Sequence, residues 1–128
     1  MDLLVNIDVD DLDRAIAFYG AALGLTVGRR FDGGFTELAG ATTRIFLLPN
    51  AASSAAYAGG PARDYARHWT PIHLDFVVDD VDAAVARACA AGAKLESAAQ
   101  PRSWGRIAIL SDPFGHGFCL LSFARGDY

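Results

Sequence analysis

His73 and Asp75 stand two residues apart in Ile72-His73-Leu74-Asp75-Phe76-Val77-Val78. The alternation of Ile72, Leu74, Phe76 and Val78 with His73, Asp75 and Val77 is that of a β-strand with one buried face. On such a strand the imidazole and the carboxylate share the opposite face. That pair can act in three ways: as a general base oriented by a carboxylate, as part of a metal site, or as hydrogen-bonding groups on a cavity wall. The third asks least of the residues and is adopted here. His73 and Asp75 are the catalytic candidates, with no step assigned to either. A matching strand, Leu3 to Val9, puts Leu3, Val5, Ile7 and Val9 on one face and Leu4, Asn6 and Asp8 on the other, so Asn6 joins the cavity candidates.

Further candidates are apolar or aromatic. Trp104 and Arg106 lie in one strand-like run; together they form an aromatic wall with a guanidinium for a planar or anionic molecule, or else Trp104 packs under a loop and Arg106 faces water. Phe46, Leu48, Cys119, Leu121 and Phe123 line an apolar floor or fill a core. Trp69, with Tyr57, Tyr65 and Arg67, is placed at the mouth of a site. His116 reads as a surface turn residue and His68 has only its position beside Trp69. No nucleophile elbow, P-loop or GxGxxG pattern occurs.

The elements that position these residues come from an internal repeat. Val9-Asp10-Asp11-Leu12-Asp13 falls on Val78-Asp79-Asp80-Val81-Asp82, and Ala15, Ala17 and Ala21-Ala22 fall on Ala84, Ala86 and Ala90-Ala91. Each copy reads strand, helix, then three short strands. Asp11 and Asp80 start the helices and Gly24 and Gly92 stop them. Leu12, Ile16, Tyr19 and Leu23 form one helical stripe; Val81, Ala84, Val85 and Ala88 form the other. The later strands are predicted near 25–31, 35–39 and 43–49, and near 94–98, 104–111 and 117–123. Asp32-Gly33-Gly34 and Asp112-Pro113-Phe114-Gly115 supply the turns. The fold class is α+β: two tandem βαβββ modules forming a curled mixed sheet cup in one domain, 1–128. Module 1 covers about 1–50 and module 2 about 71–125. The linker, about 51–70, has a flexible Ala/Ser/Gly-rich first half.

The chain has 128 residues, half of them apolar, and a net charge of −4. That balance gives no electrostatic footprint for nucleic acid, and no apolar run is long enough to span a membrane. The N-terminus lacks the features of a signal peptide, which leads us to expect a cytoplasmic protein. Cys89 and Cys119 belong to no CxxC pair and read as buried, reduced thiols.

The segments VDDLDRAIAFYGAALGL, HLDFVVDDVDAAVARACAAGA and WGRIAILSDPFGHGFCLLSF resemble the vicinal oxygen chelate superfamily. That glyoxalase/bleomycin resistance protein/dioxygenase superfamily spans enzymes and metal-free binding proteins. The resemblance implies the glyoxalase-like fold, a homodimer, and metal ligands drawn from the first and last strand of each module. Carried over, those positions are Leu4, His73, Leu121 and one within Ile45 to Leu48. Only His73 keeps a ligating side chain, so the metal expectation is none, with His73 the sole residual candidate. No cofactor is predicted, and a divalent metal, which would need substitutes such as Asp75 or Asp8, is disfavoured. Small-molecule binding without turnover, possible sequestration of an aromatic or apolar ligand, is therefore expected. The alternative is a lyase or isomerase using unusual metal ligation or His73/Asp75 acid-base chemistry.

Overall fold

The computed structural model describes residues 1–124, so the end of the second module at residue 125 lies outside the described residues. Two compact units divide between Tyr65 and Ala66. In the first, β1 (Leu4–Val9), α1 (Leu12–Leu23), β2 (Thr26–Arg30), β3 (Thr36–Ala39) and β4 (Arg44–Pro49) follow in order. In the second, β5 (Leu74–Val77), α2 (Val81–Ala91), β6 (Lys94–Arg102), β7 (Gly105–Ser111) and β8 (Gly117–Phe123) repeat the pattern. The two tandem βαβββ modules expected from the repeat are both present.

Each module is one four-stranded sheet, ordered β1-β4-β3-β2 or β5-β8-β7-β6. The first strand pairs in parallel with the last, and the remaining ladders are antiparallel. Only a crossover can join parallel neighbours, and the helix supplies it, covering one face of its own sheet. Asp11 caps α1 by accepting from the Arg14 amide at 3.0 Å, and Asp80 caps α2 by accepting from the Ala83 amide at 3.0 Å. Gly24 ends α1 at φ 71°, in left-handed backbone that a side chain would strain.

The buried line of α1 is Ala15, Phe18, Tyr19 and Ala22, rotated from the predicted stripe. Leu12, Ile16 and Leu23 are only half-buried. Small Ala15 and Ala22 let the helix approach the sheet, and Phe18 fills the gap beside Tyr19, their rings edge-on at 5.0 Å. In the second module Val81, Ala84 and Ala88 pack over the side of the sheet that carries Ala108, Leu110, Phe118 and Leu120.

Three other expectations change. The segment after Asn50 is a folded loop of the first unit rather than a flexible stretch: Ala55 bridges Ala62, the Ser53 amide donates to the Arg63 carbonyl, the Arg63 amide donates to the Ser54 carbonyl, and Tyr65 Oη donates to the Asn50 carbonyl at 2.7 Å. Strand β6 runs past its predicted end through Pro101, which its edge position allows because no ladder bond needs the missing N–H. Cys89 is exposed, whereas Cys119 is buried as expected. Among the described residues no helix is long and apolar enough to cross a membrane.

Gly105 opens β7 under tight constraint, since a Cβ there would lie 1.9 Å from the Ser122 carbonyl oxygen. Gly105→Ala is expected to destabilise the protein by about 2 kcal/mol or more, the cost of forcing a methyl into packed backbone. Chemical denaturation checks this through a lowered midpoint with an unchanged slope.

Candidate functional site

Strand pairing in the second module decides what stands beside His73. Asp75 is the direct partner of Cys119 in the parallel β5–β8 ladder, and Val77 is the partner of Leu121. His73 precedes Asp75 by two residues, so His73, Asp75, Val77, Cys119 and Leu121 share the face turned away from α2. Antiparallel pairing with β7 adds Ile109 opposite Cys119 and Ile107 opposite Leu121. His73 Nε2 lies 3.2 Å from Asp75 Oδ1, with the two side chains about half exposed. Val77 and Ile109 are 52% and 41% exposed. The result is an apolar strip, exposed at Val77 and Ile109 and buried at Cys119 and Leu121, with one polar pair at its edge.

Cys119 is the residue that sequence reasoning passed over as a partner of this pair. Its Sγ, one ligand atom of His73 and one carboxylate oxygen of Asp75 all lie within 4.8 Å of one another. Burial pushes the thiol up to about 12, and the neighbouring Asp75 carboxylate adds to the shift by repelling a thiolate and accepting the S–H. The signal available beforehand was parity: Cys119 is two residues before Leu121 and therefore on its face.

The other candidates of this module separate. Arg106 belongs to the opposite face, where its Nη2 and Nε reach Asp82 of α2 at 2.8 and 3.0 Å; it is not placed beside His73. Trp104 sits in the β6–β7 turn with its ring 5.7 Å from that of Phe123. Trp69 is 82% exposed. Arg67 holds Glu96 of β6 through two bonds, at 2.5 and 3.0 Å, and also donates to the His68 carbonyl. His116 is half-buried rather than at the surface, with its ring 5.5 Å from that of His68. The turn is held by Asp112, which accepts from the amides of Phe114 and His116.

In the first module Asn6 is the partner of Phe46, and Asp8 of Leu48. Phe46 is buried and forms a cluster with the stacked rings of Phe31 and Phe35. Asp8 is committed to its own loop: it accepts from Arg63 Nε at 2.6 Å and from Asn50 Nδ2 at 2.9 Å. The position matching His73 is Leu4, and the face holds no imidazole.

One charged residue of that face escaped the sequence reading. Glu37, opposite Phe46 in the β3–β4 ladder, is a nearly buried carboxylate gripped by Arg29 through Nε at 2.6 Å and Nη2 at 3.1 Å. Arg44 Nε lies 3.7 Å away. The side-chain bonds from Arg29 hold the Glu37 carboxyl down at about 2 against the opposing effect of burial.

The usual four-position metal set of the resembled superfamily does not fit these residues. Leu4 and Leu121 offer no donor atom, and β4 holds only Ile45, Phe46, Leu47 and Leu48 at the remaining position.

Comparison with known proteins agrees with this architecture. A family model described as "Glyoxalase-like domain" matches residues 4–121. The Mycobacterium tuberculosis protein CFP32, whose name carries a provisional glyoxylase label, is 36% identical over 113 residues, covering 88% of this chain and 40% of its own length. An anthracycline biosynthesis protein of Streptomyces peucetius is 30% identical over 122 residues, covering 95% of this chain and 41% of its own. The chain thus spans about two fifths of the length of these curated relatives. A solved glyoxalase/bleomycin resistance protein/dioxygenase family enzyme from Burkholderia phytofirmans superposes with a TM-score of 0.73 at 24% identity, over 96% of this chain and 99% of that one.

Glu37 makes a pH prediction. Its folded carboxyl titrates near 2 and an unfolded one at about 4.3, so the folded state binds fewer protons between them. The stabilisation from Glu37 is present above that window and is lost as pH falls through it. Glu37→Gln is expected to show a shallower loss of stability between about pH 5 and pH 2. Denaturation midpoints across that range check it; identical acid slopes for the two proteins contradict it.

Proposed function

We propose that this chain, which belongs to the glyoxalase-like domain family, binds a small aromatic or otherwise largely apolar molecule and sequesters it without turning it over. The observation that carries this reading is the apolar strip of Val77, Ile107, Ile109 and Leu121, exposed at Val77 and Ile109, beside the His73–Asp75 pair. Apolar area supplies affinity and a few polar groups fix orientation, which is the ordinary composition of a small-molecule site. The reading needs no metal at the family's four positions. An aromatic ligand also suits the name of the relative from anthracycline biosynthesis. Asn6, Phe46 and Leu48 are proposed ligand contacts on the first module's own sheet, and Trp69 and Trp104 on the second module.

The 3.2 Å contact between His73 and Asp75 favours a second reading, an enzyme in which Asp75 orients His73 as a general base. A panel of planar aromatic compounds, screened by calorimetry and product analysis, separates the two. The binding reading expects a bound compound recovered unchanged, and about tenfold weaker binding by His73→Ala, the loss of roughly one hydrogen bond. Conversion of a compound by the unaltered protein, abolished in His73→Ala, establishes the enzyme instead.

The same reading includes a cytoplasmic homodimer. Leu4, Val27 and Leu95 leave apolar strand surface exposed, and two-fold pairing is the commonest way such surface is covered. Sedimentation velocity at micromolar concentrations is expected to give twice the chain mass of 13.6 kDa; a monomer throughout contradicts it.

A further inference from the structure

Hydrogen bonding does not exhaust what the His73 face can do. It brings together an imidazole nitrogen, a carboxylate oxygen and a sulfur, and these three atoms lie within 4.8 Å of one another. We propose that His73, Asp75 and Cys119 form a binding site for a thiophilic divalent ion of the zinc class. This goes beyond the ligand-binding reading, which stands or falls separately on its own titration.

The geometry is close to what such an ion requires. Metal bonds of about 2.0–2.1 Å to N and O and 2.3 Å to S, at tetrahedral angles, put ligand atoms roughly 3.3–3.6 Å apart. The His73–Asp75 separation is already 3.2 Å, and no two of the three ligand atoms are more than 4.8 Å apart. Cys119 is fixed by the ladder as the direct neighbour of Asp75, so two of the three donors stand on adjacent, hydrogen-bonded strands. The exposed sides of His73 and Asp75 leave a further coordination position open to solvent or to a small molecule. A set of one N, one O and one S disfavours magnesium and calcium, which take oxygen ligands, and suits zinc, cobalt or nickel.

This set is not the one that the family resemblance implied. It shares only His73, which immediately precedes β5, gains Asp75 from β5, and replaces the missing donor at Leu121 with Cys119, two residues earlier on the same face. On binding, the S–H bond of Cys119 breaks, a sulfur–metal bond forms, and the proton leaves to solvent.

Cobalt reports on the sulfur directly. The full chain, stripped with a chelator and titrated with Co2+, is expected to develop thiolate-to-cobalt charge-transfer absorption in the near ultraviolet. It should saturate near one ion per chain and vanish on addition of Zn2+. Cys89→Ser, which removes the exposed thiol of α2, should keep the absorption, and Cys119→Ser should lose it. His73→Ala alters an exposed side chain outside the core and should also lose saturation near one ion. No absorption in the unaltered chain, absorption that survives Cys119→Ser, or saturation near one ion that survives His73→Ala, overturns the proposal.

Discussion

The parallel pairing of the first strand of each module with its last is the constraint on which the remaining structure depends. It places β4 and β8 in the interior of their sheets, between the opening strand and the rest of the ladder. It forces a crossover, which the capped helix provides, and the helix then buries one face of the sheet. Because side chains alternate across a strand, the same register that turns half-buried Leu74 and Phe76 and buried Phe118 and Leu120 toward α2 turns His73, Asp75, Cys119 and Leu121 the other way. A slip of one residue in β8 would exchange Cys119 for a core leucine or phenylalanine. Register is therefore specified by the hydrophobic core on one face and delivers the polar grouping on the other.

Charged groups in the two modules are handled by local pairing. Glu37 is close to buried, and a lone carboxylate there would be costly. The fork of Arg29 satisfies both of its oxygens, Arg44 stands nearby, and the Arg29 guanidinium also lies 5.2 Å above the Phe31 ring. Arg63 does comparable work at Asp8, where one side chain ties the loop after Asn50 to the end of β1. These arginines are structural fasteners in their own module. The His73–Asp75 contact differs from them in being backed by a buried thiol and bordered by exposed apolar residues.

Membership of the glyoxalase-like domain family accounts for the architecture, and the chemistry follows from individual side chains. The first module has Leu4 and Phe46 where the second has His73 and Cys119, so the repeat preserves strand, helix and cap but not the polar grouping. Duplication explains why Asp11 and Asp80 cap their helices through the same bond to the third residue on. On the face that the helix does not cover the two copies differ even at buried positions, with Phe46 in one and Cys119 in the other.

The helices, their caps, the Gly-rich and Asp-Pro-Phe-Gly turns and the βαβββ order were legible in the sequence because they rest on contacts between near neighbours and on periodicity. The faces of β1 and β5 were legible for the same reason, which is why His73 and Asp75 could be named together. Their union with Cys119 was not, because Asp75 and Cys119 are 44 residues apart and meet only through the β5–β8 register. Arg106 had the right type but the wrong parity, and its partner Asp82 lies on the helix beyond the sheet. Glu37 gave no signal, since a glutamate in a short strand ordinarily faces water and only the approach of Arg29 from β2 makes its burial tolerable. Local pattern determined which residues face together along one strand; pairing between strands, which no local pattern encodes, decided which of them meet.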